Sequence, residues 1–233
     1  MPSDTTGRSS ASGNGAERPI AVLFDLDGTL VDSIELLVAS MEYSFEGRTR
    51  RPEVSEWVAL IGTPLDKMLA RWAVDADDVL VLRGRYREHQ LAKHDEMIKL
   101  YPGMVETVQA LHAAGHPLAV VTSKLELGAR RALKFAQIEQ YFDVVVGIDQ
   151  TVKHKPEPEP VWYALEQLGV TRARAVFVGD STHDMEAGRA AGVTTVAVLW
   201  GPYTRAQLTP TTPDYYADGF DALREIVASL SHR

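Results

Sequence analysis

The sequence predicts an α/β protein: a parallel sheet with helices on both faces, interrupted by an all-helical insert. Three observations carry that expectation. Short apolar runs alternate with helical patterns over most of the chain. One long stretch, residues 33–100, has helical patterns and no convincing strand. Acids, hydroxyls and lysines stand at the ends of the apolar runs, where open parallel sheets bind ligands.

Taken in order, residues 1–19 are rich in Ser, Thr, Gly and Asn. They lack the apolar stretch of a signal peptide and read as a disordered tail. Residues 20–24, Ile-Ala-Val-Leu-Phe, form an unbroken apolar run, the mark of a strand buried on both faces. Residues 34–46, 65–72 and 77–93 have helical patterns, punctuated by Pro52 and the turn Gly62-Thr63-Pro64. They make up the insert, whose links to the core fall near 31–33 and 100–103. After it, strands are expected at 118–121, 144–146, 175–178 and 194–199, with helices at 105–114 and 161–168 between them. Gly115 and Gly169 follow these two helices, where a left-handed cap favours glycine. The resulting division is a tail (1–19), a core in two pieces (20–32 and 101–233) and a helical cap (33–100).

Composition narrows the function. The chain has 233 residues, 45% hydrophobic and 24% charged, an ordinary globular balance with a sizeable core. Its formal net charge of −8 argues against a nucleic-acid surface, while a local cation still allows an anionic substrate. There is no cysteine, which excludes disulfides, zinc–thiolate sites and cysteine nucleophiles and agrees with a cytoplasmic location. No run approaches the roughly 18 apolar residues of a membrane span. Oligomeric state is not legible.

The chemistry sits at the strand ends. Asp25 and Asp27 close the first run, and alternate residues of a strand point the same way. Two like charges on one side need compensation. A hard divalent cation supplies it; an Asp-rich turn closing a core strand is the plainer reading. Gly28 follows and lets the backbone bend. Thr122, Ser123 and Lys124 end the second strand, Lys155 follows the third, and Gly179, Asp180, Ser181 and Asp184 follow the fourth. Acids, hydroxyls and a lysine on one edge suit phosphoryl transfer. Asp25 and Asp180 could hold Mg²⁺. Thr122 could donate to the transferring group, and Lys155 could supply fixed positive charge. One carboxylate could act as nucleophile and another as general acid/base.

Asp25-Leu26-Asp27-Gly28-Thr29, Val121-Thr122-Ser123-Lys124, Lys155-Pro156 and Gly179-Asp180-Ser181-Thr182-His183-Asp184 resemble the four motifs of the haloacid dehalogenase-like superfamily. The likeness spans about residues 20–220. It implies a Rossmann-like three-layer α/β/α core with a helical cap inserted after the first motif. It implies Asp25 as the nucleophile that becomes an aspartyl-phosphate, and Asp27 as general acid/base with its backbone carbonyl on Mg²⁺. Thr122 and Lys155 would bind the phosphoryl group, with Ser123, Gly28 and Thr29 also on the substrate. Asp180 would ligate the metal, and Asp184 would support it directly or through water. Relatives often carry Asn at position 123, so Ser123 puts any amide contact there in doubt. True dehalogenases lack an acid at the second position; Asp27 therefore speaks against dehalogenation.

Within the superfamily the chain is similar to phosphoglycolate phosphatases, and also to bacterial pyrophosphatases. Leu60-Ile61-Gly62-Thr63-Pro64-Leu65 resembles a cap loop of both, while the 133–135, 141–146 and 155–160 segments and His94-Asp95-Glu96 resemble the pyrophosphatases. The expected function is an Mg²⁺-dependent phosphatase of a small phosphorylated metabolite. Inorganic diphosphate hydrolysis is the alternative; a beta-phosphoglucomutase or a non-catalytic binding module ranks lower. Arg83, Arg85 and Arg87 in the cap read either as a solvated basic face or as contacts to a second anionic group. His89, His94 and His183 are scattered and read as structural. Trp57, Trp72, Trp162 and Trp200 read as packing, Gly188 and Gly192 as tight helix packing, and the prolines at 156, 158 and 160 as a turn that aims Lys155.

Overall fold

The computed structural model describes residues 19–232; the expected tail lies outside them except for Pro19. Six strands form one sheet: β1 (Ala21–Phe24), β4 (Leu118–Val121), β5 (Val144–Val146), β6 (Ala175–Gly179), β7 (Thr194–Val198) and β8 (Tyr215–Ala217). Their order is β5-β4-β1-β6-β7-β8, and every pairing is parallel. Two further strands, β2 (Val31–Asp32) and β3 (Lys99–Leu100), pair antiparallel as a separate ribbon.

The apolar runs become strands because both faces of the sheet are covered. Val22, Phe24, Val120, Val176 and Val178 turn to one side. There they meet α5 (Met104–Ala113), α6 (Glu126–Phe135) and α10 (Phe220–Ser231). Ala21, Leu23, Ala119, Val121 and Phe177 turn to the other. They meet α7 (Glu159–Leu168) and α8 (Thr182–Ala191). This is the three-layer α/β/α arrangement that the alternation of elements implied. The chain runs outward from β1 to β4 and β5, then returns to β6 on the opposite side of β1. The direction of winding thus reverses at β1, where ligand crevices form in such sheets.

Residues between β2 and β3 are helical: α1 (Ile34–Ser44), α2 (Val54–Val58), α3 (Leu65–Leu69) and α4 (Ala76–Met97). They close around their own buried cluster, which includes Leu37, Met41, Phe45, Trp57, Leu69, Leu82 and Tyr86. Asp75 caps α4 by accepting the Asp78 N–H at 2.9 Å.

The structure differs from expectation in three places. The ribbon β2–β3 places a two-residue strand at 99–100, too short to leave a periodic signal. Strand β8 is an edge strand with half-buried Tyr215 and Tyr216, so it lacks the continuous apolar run of its neighbours. Trp162 is half exposed, with its indole N–H donating to the Ala191 carbonyl at 3.2 Å, so its ring is only partly packed. No helix among the described residues is long and apolar enough to cross a membrane.

Candidate active site

The three central strands β4, β1 and β6 deliver their carboxyl ends side by side. The Asp25 N–H donates to the Val178 carbonyl at 2.9 Å, extending the β1–β6 ladder by one residue. The chain then turns: Leu30 and Val31 both donate to the Leu26 carbonyl, and Gly28 adopts φ +86°. A Cβ at Gly28 would stand 2.7 Å from Asp180 Oδ2, and one at Gly201 would stand 2.5 Å from Asp180 Cβ. Asp180 therefore lies in a notch that side chains would fill.

Asp25, Asp180 and Asp184 each offer an oxygen within 4.8 Å of the others, and all three are buried. One cation stands among them. Lys155 Nζ donates to Asp25 Oδ1 at 2.7 Å, to Asp184 Oδ1 at 2.6 Å and to the Val121 carbonyl at 3.2 Å, which occupies all three of its N–H groups. Asp184 is committed on its other side as well. Its Oδ2 accepts from the Ser181 backbone at 3.0 Å and from the Ser181 hydroxyl at 2.6 Å, a capping box at the start of α8. Asp180 Oδ1 accepts the Thr29 hydroxyl at 2.8 Å. Asp180 Oδ2 is buried with no hydrogen-bond partner.

Three carboxylates and one ammonium leave the cluster short of positive charge. Burial pushes the Asp25 carboxyl up to about 7; Lys155 opposes this and the Asp184 charge adds to it. Asp180 is raised well above the usual carboxylate range, by burial first and then by Asp184 and Asp25. Burial works against the Lys155 ammonium, yet Asp184 and Asp25 outweigh it and hold its pKa above the ordinary lysine value. The hard-oxygen donor set, the orphaned Asp180 Oδ2 and the notch around it fit a Mg²⁺ ion.

This has a testable pH signature. Asp25 titrates near 3.8 when unfolded and near 7 when folded. Its contribution to metal-free stability is present below pH 3.8 and is lost as pH rises through 7; Asp180 acts in the same direction. Metal binding requires the ionised forms. The rise in Tm on adding Mg²⁺ is therefore expected to be small near pH 4 and large above pH 7. Thermal melts with and without Mg²⁺ measure it; a rise that does not change with pH contradicts the assignment.

Asp27 does not join the three-acid cluster through its side chain. Its carboxylate takes the Lys124 ammonium at 2.9 Å and the Ser33 hydroxyl at 2.5 Å. It faces a cavity of about 870 Å³ together with Asp25, Thr122 and Ser123. The opposite wall comes from the helical segment, including Trp57, Ile61, Thr63, Pro64 and Tyr86, and a flank comes from Arg130 and Arg131 on α6. Ser123 donates to the Gly62 carbonyl at 2.6 Å, so this hydroxyl ties the Gly62 turn to the strand end.

Three residues expected on the substrate, Thr29, Gly28 and Lys155, are placed against the acid cluster and do not line the cavity. Thr29 is fully buried and its hydroxyl supports Asp180; it does not line the cavity. Gly28 is buried against the same carboxylate. The Lys155–Pro156 peptide bond is cis, and the Lys155 ammonium ties Asp25 to Asp184. Sequence reasoning gave no role to Lys124, Gly201, Arg130 or Arg131. The spacing Ser181-x-x-Asp184 is a legible capping signal; the Lys124–Asp27 pair joins residues 97 positions apart and has no local signature.

A family model described as "Haloacid dehalogenase-like hydrolase" matches residues 22–198. "Pyrophosphatase PpaX" of Halalkalibacterium halodurans is 36% identical over 210 residues, covering 88% of this chain and 95% of that protein. "Pyrophosphatase PpaX" of Bacillus velezensis is 36% identical over 214 residues, covering 90% and 97%. A crystal structure from Haemophilus somnus, titled a "predicted phosphoglycolate phosphatase", superposes with a TM-score of 0.79 at 26% identity, covering 89% of this chain and 97% of the other. The matched span runs from the first aspartate-bearing strand through β7, and takes in Asp25, Asp27, Thr122, Lys155, Asp180 and Asp184. Site and similarity thus agree, and the chain belongs to the haloacid dehalogenase-like hydrolase family.

Proposed function

We propose that the protein is a Mg²⁺-dependent phosphatase that hydrolyses a small phosphorylated metabolite through an aspartyl-phosphate on Asp25. The observation that carries this reading is one carboxylate, Asp25, belonging to two places at once: it is part of the buried acid cluster and it faces the cavity beside Asp27. Residues 33–100 act in this reading as a cap over the cavity.

Asp25, Asp180 and the backbone carbonyl of Asp27 would hold the metal, with Asp184 behind them. When bound, Mg²⁺ neutralises phosphoryl oxygens and holds them in line for attack. Asp25 attacks phosphorus, the bond to the leaving oxygen breaks, and Asp27 gives that oxygen a proton. Asp27 then takes a proton from water as the water oxygen attacks the same phosphorus. The acyl-phosphate bond breaks and Asp25 is restored as a carboxylate. Thr122, at the end of β4 on the cavity wall, donates to a phosphoryl oxygen. Lys155 fixes the orientation of Asp25 through Oδ1.

Diphosphate is the second reading, favoured by the names of the bacterial relatives. The test is a side-by-side comparison of kcat/KM for 2-phosphoglycolate, diphosphate and sugar phosphates with Mg²⁺. Release of phosphate from at least one of them supports the proposal. Failure with all of them, or isomerisation of a sugar phosphate without phosphate release, overturns it.

The acid role of Asp27 makes a separate prediction. Asp27→Asn is expected to slow alkyl phosphates by about 10²–10⁴-fold and p-nitrophenyl phosphate much less, because nitrophenolate leaves without a proton. Steady-state kinetics on both esters measure this. Equal losses contradict the role.

A further inference from the structure

The cavity wall carries more positive charge than one phosphoryl group needs. Lys124, Arg130, Arg131 and Lys134 line it from the core side, and each is paired with an acid. Lys124 holds Asp27 at 2.9 Å, Arg130 holds Glu126 at 2.7 Å, Arg131 holds Asp95 at 3.2 Å, and Lys134 lies 3.7 Å from Glu139. Lys67 on α3 and Arg87 on α4 line the same cavity from the opposite side. Neither has a hydrogen-bond or ion-pair partner among the described residues.

Their neighbours define the contrast. Arg83, one helical turn before Arg87 and on the same face, is held by Asp66 at 2.7 Å. Arg85 is held by Glu46 at 3.5 Å and lies over the Tyr43 ring. In a chain with net charge −8, two cations left unpaired where the insert faces the acid site form a ready receptor for an anion.

Resting on the phosphatase reading above, we infer that Lys67 and Arg87 bind a second anionic group of the substrate, a carboxylate or a second phosphoryl group, while Asp25 attacks the first. The guanidinium of Arg87 can take two oxygens at once. Lys67 adds a point charge from the neighbouring helix. The substrate class is thus a phosphoryl compound with a further negative group a few bonds from phosphorus. These two residues set specificity and take no part in bond breaking.

The test has a binding arm and a turnover arm. In the binding arm, calorimetry in Mg²⁺ compares methylenediphosphonate and phosphonoacetate, which carry a second anion, with methylphosphonate, which does not. In the wild type the first two are expected to bind more tightly. Lys67→Gln and Arg87→Gln are each expected to shrink that preference by about tenfold, the loss of one charge-assisted hydrogen bond. Arg83→Gln, on the same helix face, serves as comparator and is expected to keep the preference. In the turnover arm, the ratio of kcat/KM for 2-phosphoglycolate or diphosphate to that for p-nitrophenyl phosphate falls by a similar factor in Lys67→Gln and Arg87→Gln. The two analogues separate carboxylate from phosphoryl recognition. Preferences within twofold of wild type in both variants, or an equal loss in Arg83→Gln, overturn the inference. A wild type without turnover but with an intact binding preference overturns the phosphatase reading and leaves the anion site standing.

Discussion

The Asp25→Asn protein is expected to fold and to release no phosphate. The amide has the shape of the carboxylate and its oxygen can still accept from Lys155, which sits 2.7 Å from Oδ1. It has no charge with which to attack phosphorus. Removing a covalent nucleophile costs many orders of magnitude, on the order of 10⁶-fold in a well-studied protease, and a loss of at least about 10⁴-fold in kcat is expected here. Stability should respond differently. Asp25 is raised to about 7 because burial and Asp184 disfavour its charge, so a neutral replacement relieves repulsion in the metal-free protein. Its Tm should stay level or rise, while the gain on adding Mg²⁺ should shrink. Steady-state kinetics and thermal melts measure both. Substantial residual turnover in this variant contradicts covalent catalysis by Asp25.

Lys155→Met is expected to give the largest loss of stability. Lys155 is 2% exposed and bridges Asp25 and Asp184. Methionine has similar length and no charge, so three buried carboxylates would lose the ammonium that stands among them. Breaking a buried ion pair by removing one partner costs about 3–5 kcal/mol. For a chain of this size each kcal/mol moves Tm by about 2–4 °C, so a fall of roughly 6–20 °C is expected without metal. Mg²⁺ should recover part of it, because the carboxylates remain. A metal-free melt within about 2 °C of wild type contradicts the account of the cluster given above. Turnover should fall as well, since Asp25 loses the contact that orients it.

The central sheet was readable because three of its strands, at 21–24, 118–121 and 175–179, are continuous apolar runs buried on both faces. A strand of that kind announces itself without help from its neighbours. Strand β8 does not: its tyrosines are half-buried, and only pairing with β7 defines it. The acids of the site were readable for a related reason. They follow the apolar runs directly, so reading the strand ends also read the residues there. Their supports were not. Thr29 reaches Asp180 across 151 positions, and Lys124 reaches Asp27 across 97; such pairs exist only once the strands are side by side. Thr29 and Ser123 illustrate the limit. Both are hydroxyls just beyond the end of an apolar strand, yet one holds the Asp180 carboxylate and the other holds the Gly62 carbonyl. Hydroxyls act on whatever acceptor the fold brings near, and the chain order does not say which.

The ribbon formed by Val31–Asp32 and Lys99–Leu100 has a consequence for how such a chain can change. The path leaves the sheet and comes back at two points that are neighbours in space, about 5 Å apart as cross-strand partners are. The length of chain between those two points is therefore not fixed by the order of strands in the sheet. The helical segment, with its own buried cluster, and the sheet that carries the acids are thus joined at a single narrow place in the chain.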